Sequence, residues 1–171
     1  MRTDENMCPS VVLRKLEPDD LPLLYEWEND SCSWLDGDTH NPLSHEDLRE
    51  YILRTTGDIY QDGQLRLMIC PTPDSEAVGC VDLYNVDIRN RKAAVAIYIS
   101  RKYRGQGFAQ NALRELRLYV TNILCFRMLY ALVREKNKIS LRLFQSADFQ
   151  NVATLPKWVN EGNILVLQTV L

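Results

Sequence analysis

Apolar residues along this chain follow two rhythms. Short, nearly continuous apolar runs mark strands at Val11–Leu16, Leu65–Cys70, Ala77–Tyr84, Ala93–Ile99, Met128–Val133, Asn151–Val159 and Ile164–Leu171. Spacings of three and four mark amphipathic helices. One carries Leu21, Leu24, Tyr25 and Trp27, and a second carries Leu48, Tyr51, Ile52 and Ile59. A long third helix carries Ala109, Ala112, Leu113, Leu116, Val120 and Ile123, and a short fourth turns Ile139, Leu143, Phe144 and Ala147 inward. The run Ala93–Ile99 is apolar at almost every position, as expected of a strand buried on both faces.

Punctuation supports these bounds. Glu17-Pro18-Asp19-Asp20 opens the first helix with proline and acids in its first turn, and Ser44 caps the second. Asp62-Gly63 closes the second helix, Gly79 inside its strand predicts a bulge, and Asn160–Asn163 reads as a hairpin. Met1–Ser10 is a loose start, and Cys32–Pro42 has no period. The order is β, α, α, β, β, β, α, β, α, β, β, without repeat or linker. It describes one α+β or mixed α/β domain over 1–171, with antiparallel pairing where strands meander.

Composition narrows the picture. The chain has 171 residues, 46% hydrophobic and 25% charged, enough for one real core. A net charge of −3, from 20 basic and 23 acidic residues, gives no basic excess for nucleic acid. No apolar run is long enough to span a bilayer, and no stretch reads as a signal peptide. Five cysteines with no Cys-x-x-Cys argue against a disulfide framework or a zinc site, and make the reducing cytoplasm the expected compartment.

The chemistry centres on Ser100–Ala109. A buried strand passes through a basic turn with two glycines into an amphipathic helix. Glycines let amides approach a ligand, and a helix start offers unpaired N–H groups with partial positive charge, which together make a pyrophosphate cradle. The same glycines would also serve a plain tight turn. No Gly-Lys-Ser/Thr follows, and the third glycine of a dinucleotide fingerprint is missing.

The segment Arg104-Gly105-Gln106-Gly107-Phe108-Ala109 resembles the Arg/Gln-x-x-Gly-x-Gly/Ala motif of the GNAT acetyltransferase superfamily. Two further stretches agree, Leu13–Leu21 and Asn137–Phe144, which are similar to segments of the spermidine/diamine and ribosomal-protein N-terminal acetyltransferase branches. The resemblance implies a central, mostly antiparallel twisted sheet of about seven strands with a splayed central pair, flanked by about four helices. It implies acetyl-CoA as cosubstrate, with its diphosphate on the amides of Arg104, Gly105, Gln106, Gly107, Phe108 and Ala109. Main-chain groups of Ile97, Tyr98 and Ile99 would line the pantetheine and polarise the thioester carbonyl, and Asn137 and Ser140 would brace the cofactor. Asn137 could equally be a plain helix cap.

The catalytic positions depart from the pattern. Where the spermidine-type enzymes carry a glutamate on the central strand, this chain has Ala94. Asp82 matches another acidic position of the family and is the first candidate to bind or deprotonate the amine, with Tyr84 a weaker one and an ordinary strand residue the alternative. The family's general acid, a tyrosine, is replaced by Phe144, and the usual Gly-Phe after that helix reads Asp148-Phe149. In the Cys32–Pro42 loop, Trp34 could stack on a cationic substrate and Asp36 and Asp38 could attract it, against a reading as turn chemistry. His40 and His45 pair with no Cys or Ser in any recognised pattern and read as surface or capping residues. The expected activity is acetyl transfer to a small amine, a polyamine such as spermidine first. The alternatives are the α-amine of a protein N-terminus, or a catalytically impaired CoA-binding relative. Relatives often form dimers or larger rings, and the sequence leaves the number of subunits in any homo-oligomer open.

Overall fold

The computed structural model describes residues 9–30, 41–73, 75–160 and 162–171. Among these, seven strands form one sheet: β1 Val12–Lys15, β2 Leu65–Cys70, β3 Gly79–Asp87, β4 Lys92–Ile99, β5 Met128–Arg134, β6 Gln150–Val159 and β7 Gly162–Val170. The helices are α1 Leu21–Glu28, α2 His45–Arg54, α3 Ile59–Asp62, α4 Phe108–Asn122 and α5 Lys138–Ser146. No helix among the described residues is long and apolar enough to cross a membrane.

The sheet order is β1-β2-β3-β4-β5-β7-β6, antiparallel throughout except at β4–β5. That parallel pair is joined by α4, the crossover such neighbours require. It is paired only at Lys92–Met128, Ala93–Leu129 and Ala94–Tyr130, after which the two strands part. Alternation along the strands builds two cores. Leu67, Val81, Leu83 and Val95 pack with Ala112, Leu113, Leu116 and Val120 of α4 and with Leu141 and Phe144 of α5. On the opposite face Met68, Cys70 and Cys80 pack with Leu24 and Trp27 of α1 and Leu48 and Ile52 of α2. Each fully buried aliphatic side chain contributes about 1.5–3 kcal/mol of transfer free energy. Arg14 of β1 grips the buried Asp20 with two bonds of 2.7 Å, fixing the entry to α1.

Several sequence expectations change. Ile59 is buried but lies in α3, because Thr55 ends α2 in extended backbone and Gly57 turns the chain at φ 71°. Ile123 and Ile139 are exposed, and Leu141 takes the inward place assigned to Ile139. Gly79 makes no bulge: it pairs in register with Ile69 and Ile99, and the register shift lies between Tyr84 and Asp87. Glycine is required at 79 because a Cβ there would sit 2.1 Å from the Tyr98 carbonyl oxygen. β4 is not buried along both faces; Ala96 is exposed and Ile97 and Tyr98 are half-buried, where β4 leaves β5.

Candidate active site

β4 ends at Ile99 and enters a 3-10 turn, Arg101–Tyr103, before α4. Gly105 and Gly107 adopt φ of 75° and 87°, the left-handed region that side chains disfavour. Gly107 is the residue preceding α4, and no side chain caps it. The amide of Asn111 bonds the Gly107 carbonyl, so helix geometry leaves the preceding α4 amides without an intrahelical acceptor. The polar side chains of the turn fold back on it. Arg104 Nε donates to the Ile99 carbonyl at 2.8 Å, with its guanidinium over the Tyr98 ring, and Gln106 Nε2 donates to the Lys102 carbonyl at 3.0 Å. Phe108 is buried edge-on to Tyr103 and anchors the turn, with Ala109 half-buried behind it. What the turn offers a ligand is therefore main chain at a positive helix end, flanked by Arg101, Lys102 and Arg104. This suits a diphosphate, and β4 beyond its last pairing with β5 at Ala94 suits an extended amide chain.

An open cleft of about 330 Å³ lies on the α1–α2 face, against β2, β3 and β4. Its floor is ionic. Arg66 Nε and Nη2 donate to the two oxygens of Asp82 at 2.7 and 2.8 Å, and Nη1 donates to Glu28 at 2.5 Å. The Arg66 side chain is only 16% exposed and lies over the Tyr51 ring. Burial works against its charge, but neighbouring anionic groups, Asp82 and Glu28 among them, outweigh it and hold its pKa well above the usual value. Burial also pushes the Cys80 thiol up to about 12, so it stays protonated, and pushes the Tyr51 phenol up. The lining holds three carboxylates, Glu28, Asp47 and Asp82, against the single guanidinium of Arg66.

The structure brings Asp82 and Tyr84 to this cleft beside Ala96. Ala94 is fully buried and pairs with Tyr84. Phe144 is 3% exposed and packed edge-on against Phe149. Asn137 caps α5, its Oδ1 accepting from the Ser140 amide at 3.0 Å. His45 opens α2 and stacks on Tyr25. Trp34, Asp36, Asp38 and His40 lie outside the described residues. Glu28, Tyr51 and Arg66 were not anticipated. The available signal was Arg66 itself, the lone charge in the apolar run Leu65–Cys70.

A splayed parallel pair with a bare helix start at its end and a cleft on the opposite face is the arrangement that the resemblance to an acyl-transfer family implies. The acetyltransferase (GNAT) domain family matches residues 10–150, and the chain belongs to that family of acetyl-CoA-dependent N-acetyltransferases. Spermidine N(1)-acetyltransferase of Escherichia coli K12 is 26% identical over 144 residues, 82% of this chain and 73% of that protein. The fold matches that of spermidine N-acetyltransferase from Vibrio cholerae in complex with CoA and spermine, with TM-score 0.80 at 20% identity over 94% of this chain and 95% of that one. A dodecameric structure of the Vibrio cholerae enzyme in an intermediate state matches with TM-score 0.78 at 20% identity, over 94% of each chain.

Proposed function

We propose that this acetyltransferase acts on a primary amine of a polyamine such as spermidine. The observation that carries the reading is the cleft beside the diverging end of β4, where three carboxylates face one guanidinium. A polycationic acceptor gains from such a lining. The two spermidine acetyltransferase relatives support the same class.

Acetyl-CoA, when bound, supplies an activated acetyl thioester. In this reading the amides from Gly105 to Ala109 hold its diphosphate, the Arg104 amide being bonded to the Arg101 carbonyl, and the β4 edge at Ile97–Ile99 lines the arm and polarises the carbonyl. Asn137 and Ser140 brace it through the start of α5. Asp82 has both oxygens on Arg66, so we assign it to holding the acceptor ammonium, with Glu28 beside it and Tyr84 at the wall. Trp34, Asp36 and Asp38 would complete the acceptor end. Stripping an alkylammonium of its proton at neutral pH costs about 4–5 kcal/mol. The open cleft lets solvent water take that proton. Phe144 gives no proton to the departing sulfur, so departure relies on the acidity of a thiol, with pKa about 8.5.

A second reading, a CoA-binding relative with weak catalysis, is favoured by Phe144 being packed against Phe149 and by Ala94 in the glutamate position. Self-association into a homo-oligomer, as in the dodecameric neighbour, belongs to the same proposal, and sedimentation would read it. Thiol release from acetyl-CoA across a panel of spermidine, spermine, diamines and N-terminal peptides tests the substrate. Turnover with polyamines above peptides is the expected result. Peptide preference would overturn the acceptor class, and CoA binding without turnover would favour the second reading.

A further inference from the structure

The end of α1 makes three long-range attachments at consecutive residues. Glu28 accepts from Arg66 on the cleft floor. Asn29 is bonded twice to Leu43, its Oδ1 accepting from the Leu43 amide at 2.9 Å and its Nδ2 donating to the Leu43 carbonyl at 3.0 Å. Asp30 accepts from Arg101 Nε at 3.0 Å and from Nη2 at 2.5 Å. Arg101 opens the 3-10 turn that leads into the glycine cradle, so the Asp30–Arg101 fork joins the α1 end to the cofactor turn across 71 positions of sequence. The Asp30 side chain is 14% exposed, and a two-point guanidinium–carboxylate fork fixes orientation as well as distance. Trp27 also packs near Tyr98, the ring that Arg104 covers, but that contact is general packing. The ionic fork is the link that can be cut without opening a core.

We propose that Asp30 is a positioning residue: through Arg101 it couples occupation of the cofactor turn to the order of the acceptor-side backbone at Glu28–Asp30 and Leu43–Leu48. The inference rests on the reading of the glycine turn as the CoA site. A ligand that stiffens the turn holds Arg101, Arg101 holds Asp30, and Asn29 transmits the restraint to Leu43. Coupling of this kind is reciprocal, so an ordered acceptor side also favours the loaded turn. The fork is partly solvated at Arg101, which sets the coupling at about two- to fivefold.

Hydrogen–deuterium exchange of the full chain, with CoA as the probe at saturating concentration, tests this. In the unaltered protein CoA should slow exchange at 104–112 and, about two- to fivefold, at 28–30 and 43–48. Asp30→Asn, which leaves the glycine turn untouched, should keep the first protection and lose the second. Asp30→Glu, which keeps a carboxylate for Arg101, should retain both. Protection at 104–112 with none at 28–30 and 43–48, or acceptor-side protection that survives Asp30→Asn, overturns the coupling and leaves the cofactor reading standing. No protection at 104–112 overturns the cofactor reading and the coupling with it.

Discussion

The glycine turn and the ionic cleft lie near each other along β4 and are built on opposite principles. The turn is a single contiguous stretch, Ser100–Ala109, that exposes main chain, carries Arg101, Lys102 and Arg104, and holds no acid. The cleft gathers side chains from α1, α2, β2, β3 and β4, and its charged groups are three carboxylates and one guanidinium. One suits an anionic carrier common to a family, because amides recognise phosphate whatever the neighbouring side chains are. The other suits a particular acceptor, because its charges depend on which residues tertiary structure brings together. A family motif can therefore persist in the turn while positions away from it diverge, as Ala94 and Phe144, both buried outside the cleft lining, illustrate.

The sharpest way to break this comparison is Arg66→Met. It leaves Asp82 and Glu28 facing each other across the cleft floor without their shared cation. Losing one partner of a largely buried ion cluster costs about 3 kcal/mol, readable by denaturant unfolding, while the folded fraction should still bind CoA. A loss under about 1 kcal/mol would show that Arg66 does not organise the cleft.

Next in size, Asp82→Asn should raise the spermidine KM about tenfold, since one charge-assisted contact to the ammonium is lost, with kcat and CoA affinity little changed. A fall in kcat that is recovered at alkaline pH would instead make Asp82 the base.

The smallest effect is at the rim. Hydrogen bonds from the Ser44 side chain and amide hold the Asp47 carboxyl below its usual 3.8. A depressed carboxyl stabilises the folded state above 3.8, and that contribution disappears as pH falls through the lower, folded value. The unaltered protein should therefore exceed Asp47→Asn slightly in thermal stability near neutrality, with the gap closing below pH 3.8. A gap that persists in stronger acid would contradict the capping account.

What was legible in the sequence follows the same division. Local signals were readable: the glycines before an amphipathic helix, the Ser44 cap, the Asn137 alternative as a cap, and the order of strands. The parting of β4 from β5 was expected only through the family resemblance. The ion cluster was not readable, because Arg66 stands 38 positions from Glu28 and 16 from Asp82, and only strand register joins them. Gly79 was misjudged for a related reason. Its constraint is the Tyr98 carbonyl on the neighbouring strand, which no local pattern reveals. Ile123 and Ile139 fit a helical period but sit at helix ends beyond the reach of the core.

The central claim is that the glycine turn holds the carrier's phosphates, and calorimetry with CoA on the unaltered protein and on Gly105→Ala tests it most directly. A Cβ at residue 105 meets no protein atom within 4 Å, so the alanine should cost only about 1–2 kcal/mol of left-handed strain and leave the fold intact. The account predicts saturable CoA binding by the unaltered protein and at least about tenfold weaker binding by Gly105→Ala. No heat with the unaltered protein, or equal affinity in a folded Gly105→Ala, would contradict it.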